Sequence, residues 1–205
     1  MNHTNPKPVI GLIGGIGAGK STVARALVSH GGYIVAGDPL GHEALEQPDI
    51  RARILEVWGE RNILLPSGAI DRKSLGRIIF HSPVERSRLE HIVHPYIERR
   101  IREEIASAQA DSAIKYVVLD AAILLEAGWD GNCDKLIFVD APRSVRLERV
   151  QKQRGWTDED LANREMVQMP GEMKKKRADA IVDNGGSPEA TSAQVKALVQ
   201  GWKLV

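Results

Sequence analysis

Residues 14–21 read Gly-Gly-Ile-Gly-Ala-Gly-Lys-Ser, the spacing G-x-x-x-x-G-K-[ST]. Each residue type has a chemical use at that spacing. Gly15, Gly17, Ala18 and Gly19 let backbone N–H groups turn toward a polyphosphate, and a helix N-terminus behind them adds partial positive charge. Lys20 can reach the β- and γ-phosphates, Ser21 offers a hydroxyl oxygen to Mg²⁺, and Thr22 extends the same turn. The expected ligand is a nucleotide, with Mg²⁺ as its ion. A glycine-rich turn can meet such a pattern by chance, but the context argues otherwise. Residues 9–13 form a short apolar, strand-like run, and residues 22–28 have the apolar spacing of a helix.

Carboxylates come next. Asp38 follows Ile34-Val35-Ala36-Gly37, where it can take the proton of an attacking hydroxyl or help hold the metal. An Asp before Pro39 is also a helix-start signal, and the two roles are compatible. Asp120 closes Tyr116-Val117-Val118-Leu119 and has the form of a nucleotide-site carboxylate near Mg²⁺; simple strand termination is the other explanation. Asp140 has the same local form, but Ala141-Pro142 follows and suits a structural turn.

From 143 to 177 the chain turns basic: Arg143, Arg146, Arg149, Lys152, Arg154 and Arg164 precede Lys174-Lys175-Lys176-Arg177. A solvated helical face accounts for such a run by itself. Because the segment follows a strand of the same sheet, its start also lies at the ligand edge. There an arginine, Arg149 or Arg154, can neutralise a transferring phosphoryl group, and a hinged basic helical pair can exclude water.

The elements that must position these groups alternate. Strands are expected at 9–13, 33–35, 116–119, 135–139 and 180–182, and helices at 21–29, 39–46, 50–58, 71–80, 83–109 and 188–200. Asp71 is placed to cap the helix before Leu75, Ile78 and Ile79; Pro95 is expected to kink or split the long one; Thr157 with Asp160 has the form of a capping box. Strands that are continuously apolar suit burial on both faces. The class is α/β, a three-layer fold around a parallel five-stranded sheet, with the ligand at the carboxyl ends of the strands.

Composition bounds the rest. The chain has 205 residues, 42% of them apolar and 4% aromatic, enough for a core of Ile, Val, Leu and Ala. Its 28 basic and 27 acidic residues give a net charge of +1, which argues against a nucleic-acid partner. One cysteine, Cys133, leaves no internal disulfide or multi-cysteine metal site. Residues 1–8 are polar without a signal-peptide charge pattern, and the apolar run after them is too short and glycine-broken to span a bilayer. A cytoplasmic protein without a membrane partner is expected, monomeric or weakly homo-oligomeric.

Over nearly its whole length the chain resembles the dephospho-coenzyme A kinase family. The resemblance rests on Ile10-Gly11-Leu12 with the phosphate loop, Asp38, Ile70-Asp71-Arg72, Leu89-Glu90-x-Ile92-x-His94-Pro95, Leu119-Asp120, Leu124-Leu125-Glu126 with Gly128, Arg146-Leu147, Arg164-x-x-x-Gln168 and Ala178-Asp179-x-Ile181-Val182-x-Asn184. The phosphate loop is common to many kinases; the later motifs, in this order, are much more specific.

The resemblance implies transfer of the ATP γ-phosphate to the ribose 3′-hydroxyl of dephospho-coenzyme A, the last step of coenzyme A synthesis. It implies Asp38 as the base-like residue, Asn184 beside the nucleotide, and Arg72, His94 and Glu126 on the acceptor side. It also implies a single kinase domain: a core at about 8–38, 110–142 and 178–205, a helical acceptor-binding insert at about 39–109, and a lid at about 143–177.

Three positions depart from the family pattern. Ala36 stands where a first carboxylate is usual, Ala122 replaces a proline, and Ile13 replaces a threonine. The alternatives are a kinase for another small molecule or a nucleoside monophosphate, and a GTPase-like nucleotide switch. The switch needs an Asn/Thr-Lys-x-Asp segment, and Asp140-Ala141-Pro142-Arg143 occupies that kind of position instead.

Overall fold

The structure, a computed structural model, describes residues 6–204. The first five residues of the polar N-terminal stretch, and Val205, lie outside the described residues. Five strands, β1 (Val9–Gly14), β2 (Gly32–Ala36), β3 (Tyr116–Asp120), β4 (Lys135–Asp140) and β5 (Ala180–Asp183), are interleaved with helices. In chain order the helices are α1 (Lys20–Val28), α2 (Gly37–Glu46), α3 (Pro48–Trp58), α4 (Arg72–Phe80), α5 (Pro83–Ala110), α6 (Arg143–Arg154), α7 (Asp158–Glu165), α8 (Gly171–Lys176) and α9 (Pro188–Gly201). The chain divides into two compact units, one made of the described residues up to Ala36 and from Glu103 onward, the other of Gly37–Arg102.

The first unit holds the sheet. Its order is β2-β3-β1-β4-β5 and every adjacent pair is parallel, the expected α/β class. All of β1 is buried, as are the middles of β3 and β4, because helices cover both faces and no side of these strands needs polar residues. The core packs Ile10, Leu12, Val118, Ile137 and Val139 of the sheet against Val23 and Leu27 of α1 and Val195 and Val199 of α9.

Topology fixes where a ligand fits. From β1 the chain passes to β2 on one side of the sheet, and from β4 to β5 on the other. Connections that part in this way open a crevice at the carboxyl ends of β1 and β4, which are neighbours in register at Gly14 and Val139.

The second unit is helical. Leu40, Ala44, Ile50, Ile54, Trp58, Leu75, Ile92, Val93 and Ile97 are among its buried apolar residues. Its partly buried polar groups are paired: Trp58 Nε1 donates to Glu85 Oε2 at 2.6 Å, and Glu43 accepts from the Tyr96 hydroxyl and, at 2.9 Å, from Arg100 Nε. Asp71 caps α4 as expected, accepting from the Lys73 amide at 3.0 Å.

Three expectations shift. The long helix is not split: α5 runs unbroken through Pro95. Pro95 is exposed, so the lost hydrogen bond falls on the solvent side, while buried Ile92, Val93, Ile97 and Ile101 hold both halves. Helix α2 begins at Gly37, ahead of Pro39, so Asp38 lies inside its first turn; proline is tolerated there because first-turn N–H groups have no helical acceptor. Helix α8 has no counterpart in the sequence reading, being too short for an apolar period.

Candidate functional site

The phosphate loop joins β1 to α1, and its glycines are sterically required. Gly17 (φ 75°) and Gly19 (φ 88°) are left-handed. A Cβ on Gly17 would meet the Arg146 carbonyl at 2.7 Å, and one on Gly19 would overlap the Asn184 carboxamide. Between them Ala18 is 1% exposed and donates its amide to the Gly15 carbonyl at 3.1 Å. Such alternation of conformations makes an anion-binding concavity, backed here by the start of α1 with Lys20, Ser21 and Thr22.

The outer carbonyls of the loop are held by side chains from two other elements. Arg146 Nη1 donates to the Ile16 carbonyl at 3.1 Å and also pairs with Glu165. Arg149 Nη1 donates to the Ala18 carbonyl at 3.1 Å, and its Nη2 to the Asn184 carbonyl at 2.7 Å. Asn184, 3% exposed, donates from Nδ2 to the Ala18 carbonyl at 2.7 Å. Its position is set by β5, whose Asp183 is in register with Asp140, and by the bond from its amide to the Asp140 carbonyl at 2.7 Å. The two arginines stand three apart on α6, on one helical face.

Two groups with oxygen atoms that a metal could use lie at the same end of the sheet. Asp120 ends β3, pairs in register with Leu12 of β1 and Ala36 of β2, and is partly buried. Ser21 is exposed at the start of α1. A hydroxyl and a carboxylate are hard oxygen donors that suit Mg²⁺, which keeps waters and phosphate oxygens as its other ligands. Among the described residues no cluster of three or more His, Cys, Asp or Glu could cage a metal, and this kind of site needs none. Cys133 is half-buried, and burial pushes its thiol up to about 12, which makes it unreactive.

The basic segment is tied down residue by residue. Arg154, at the exposed end of α6, lies over the Trp156 ring at 4.7 Å, and Arg164 lies over the same ring at 3.9 Å. Arg143 bridges to Asp158 at 2.5 Å and Glu165 at 3.5 Å. Thr157 and Asp160 form the expected capping box on α7. Of the two arginine candidates, Arg149 reaches the loop and Arg154 is engaged with the aromatic ring.

Glu126 accepts from the Met169 amide at 2.9 Å and pairs with Lys174 at 2.8 Å; Lys174 is 2% exposed. Lys175 binds Asp140 at 2.9 Å. These contacts anchor α8 to the loop after β3 and to the last residue of β4.

The remaining candidates lie in the helical unit. Asp38 is exposed in the first turn of α2, and Arg72 is exposed at the first position of α4. His94 is half-buried on α5; burial lowers its pKa below the ordinary value, against the pull of Glu90 and Glu98.

Geometry gives Arg146, named from sequence only in the basic run and the family motif, a place at the site, against the Ile16 carbonyl. Its signal was the spacing of three to Arg149, which becomes informative only once the facing element is known.

Known proteins match along nearly the whole chain. The family model described as dephospho-CoA kinase matches residues 8–189. A dephospho-CoA kinase of Bacillus licheniformis is 40% identical over 202 residues, covering 96% of this chain and 98% of the relative. One from Geobacter metallireducens is 40% identical over 197 residues, covering 95% of each. Among solved structures, a Thermus thermophilus protein superposes with a TM-score of 0.81 at 33% identity, over 96% of this chain and 98% of its own. The dephospho-CoA kinase of Campylobacter jejuni gives 0.69 at 25%, over 95% and 96%.

Proposed function

This chain belongs to the dephospho-CoA kinase family, and we propose that its phosphate loop, Asp38, Asp120 and Arg149 carry the transfer of the ATP γ-phosphate to the ribose 3′-hydroxyl of dephospho-CoA. The reaction is the last step of coenzyme A synthesis. The observation that carries the residue assignment is the loop itself. Its left-handed glycines and the outer carbonyls held by Arg146, Arg149 and Asn184 form a rigid cradle in the crevice at β1 and β4.

Phosphoryl transfer leaves little covalent work to the protein, so rate comes from positioning and charge stabilisation. Gly15, Gly17 and Gly19 hold the β-phosphate by backbone amides, Ala18 keeps the loop folded through its amide bond to the Gly15 carbonyl, Thr22 closes the turn, and Lys20 bridges to the γ-phosphate. Ser21 and Asp120 are the residues that would hold Mg²⁺, which would supply positive charge against the phosphate oxygens. Asp38 orients the acceptor hydroxyl and takes its proton as the oxygen bonds to the γ-phosphorus and ADP leaves. A single carboxylate suffices for that role, so Ala36 in place of the family's first acid is compatible with turnover.

Arg149 brings positive charge to the phosphate loop at the Ala18 carbonyl. Arg154, engaged with Trp156, serves the lid rather than the phosphate. Asn184 acts on the nucleotide side through the loop it supports. Residues 39–109 form the acceptor-binding insert, with Arg72 and His94 on its acceptor face. Residues 143–177 form the lid, and Glu126 orients its far end through Lys174. The reaction is assigned to the cytoplasm, with ATP and dephospho-CoA as partners; among the described residues no helix is long and apolar enough to cross a membrane.

A coupled ADP-release assay over a panel of acceptors tests the reading. Dephospho-CoA should drive turnover while nucleoside monophosphates, shikimate and gluconate do not. Equal turnover with any of those three would reject it.

A further inference from the structure

Asn184 is held from behind. Thr191 on α9 is 1% exposed, and its Oγ1 donates to Asn184 Oδ1 at 3.0 Å. Its other acceptor within reach, the Ser187 carbonyl one helical turn back, is farther at 3.3 Å. A hydroxyl has one proton to give, so the bond to the carboxamide is the shorter of the two choices. The relay runs from the α9 hydroxyl, through the Asn184 carboxamide, to the Ala18 carbonyl at 2.7 Å. Every atom in it is buried, where an unsatisfied acceptor is costly and where neighbouring hydrogen bonds polarise one another.

Loss of the hydroxyl would leave Asn184 Oδ1 without this donor in a dry setting. The side chain could recover a partner only by rotating away from Ala18. Helix α9 itself does not depend on this bond, since Val195 and Val199 bury its apolar face independently.

We propose that Thr191 is a positioning residue for nucleotide binding, acting through Asn184 to fix the Ala18 segment of the phosphate loop. The inference rests on the reading that this loop binds ATP. It assigns Thr191 no contact with substrate.

Calorimetric titration of the full chain with ATP and Mg²⁺ tests it. Thr191→Val keeps the side-chain shape and removes the hydroxyl; it should raise the Kd for ATP about tenfold. Thr191→Ser, which restores the donor, should stay within about twofold of the unchanged chain. The KM for dephospho-CoA at saturating ATP should not move in either variant. If Thr191→Val does not fold, Thr191→Ala removes the same hydroxyl and carries the same expectation. An unchanged Kd in the Val variant, with or without a lower Tm, would overturn the proposal, as would a Ser variant as weak as the Val variant. Failure of the unchanged chain to bind ATP would instead overturn the nucleotide reading, and it is seen without any variant.

Discussion

Arg149 and Asn184 meet behind the phosphate loop: Arg149 Nη2 donates to the Asn184 carbonyl at 2.7 Å, while the Asn184 carboxamide and Arg149 Nη1 converge on the Ala18 carbonyl at 2.7 and 3.1 Å. The residue that brings charge to the loop is thus also part of what shapes it. A guanidinium can serve both ends at once through its planar fork, and an ammonium cannot. Arg149→Lys should therefore lower kcat/KM by at least about tenfold although charge is kept, whereas Arg154→Lys should stay within about threefold. Steady-state kinetics of the two variants side by side check this; equal losses would remove the distinction between them.

Asp38 is exposed in the first turn of α2, so a neutral isostere there disturbs no core. Asp38→Asn should reduce kcat by ~10²–10⁴-fold, the usual cost of a lost general base, with ATP affinity unchanged. Near-normal kcat in this variant would end the assignment of the proton to Asp38.

The pair of Glu126 and Lys174 joins a partly exposed carboxylate to an ammonium whose side chain is 3% exposed. Removing the carboxylate strands a buried cation, while removing the cation leaves Glu126 with the Met169 amide. Glu126→Ala should cost about 2 kcal/mol or more of unfolding free energy, and Lys174→Met about half as much. Urea denaturation of both single variants and the double variant measures the coupling. Additive losses would show that the pair contributes nothing as a pair.

His94 links stability to pH. Burial holds its folded pKa below the ordinary 6.5, so on acidification the unfolded chain takes the proton first. This contribution is harmless above about 6.5 and destabilising as pH falls through that value, levelling off below the folded pKa. His94→Asn should flatten the fall in Tm between about pH 7 and 5.5. An unchanged slope would mean that other groups set it.

The fold was largely legible because burial leaves a periodic mark. The apolar runs before Asp120 and Asp140 gave β3 and β4, and the Asp71 and Thr157 caps gave the starts of α4 and α7. The phosphate loop was legible because its backbone conformation admits few residues besides glycine at positions 17 and 19. What stayed hidden depended on distant partners. Sequence alone left Arg149 and Arg154 equivalent, since the carbonyls of Gly17 and Ala18 and the ring of Trp156 that separate them become neighbours only on folding. Pro95 signalled a break because local rules do not see the buried residues that hold α5 together across it. Thr191 carried no local signal at all.

The most direct test of the central claim is the position of the new phosphate. Incubation with ATP, Mg²⁺ and dephospho-CoA, followed by ³¹P NMR and mass analysis of the product, should show one phosphomonoester on the ribose 3′-oxygen and one ADP formed for each. A chain that hydrolyses ATP without modifying dephospho-CoA, or that places the phosphate elsewhere, would contradict the account.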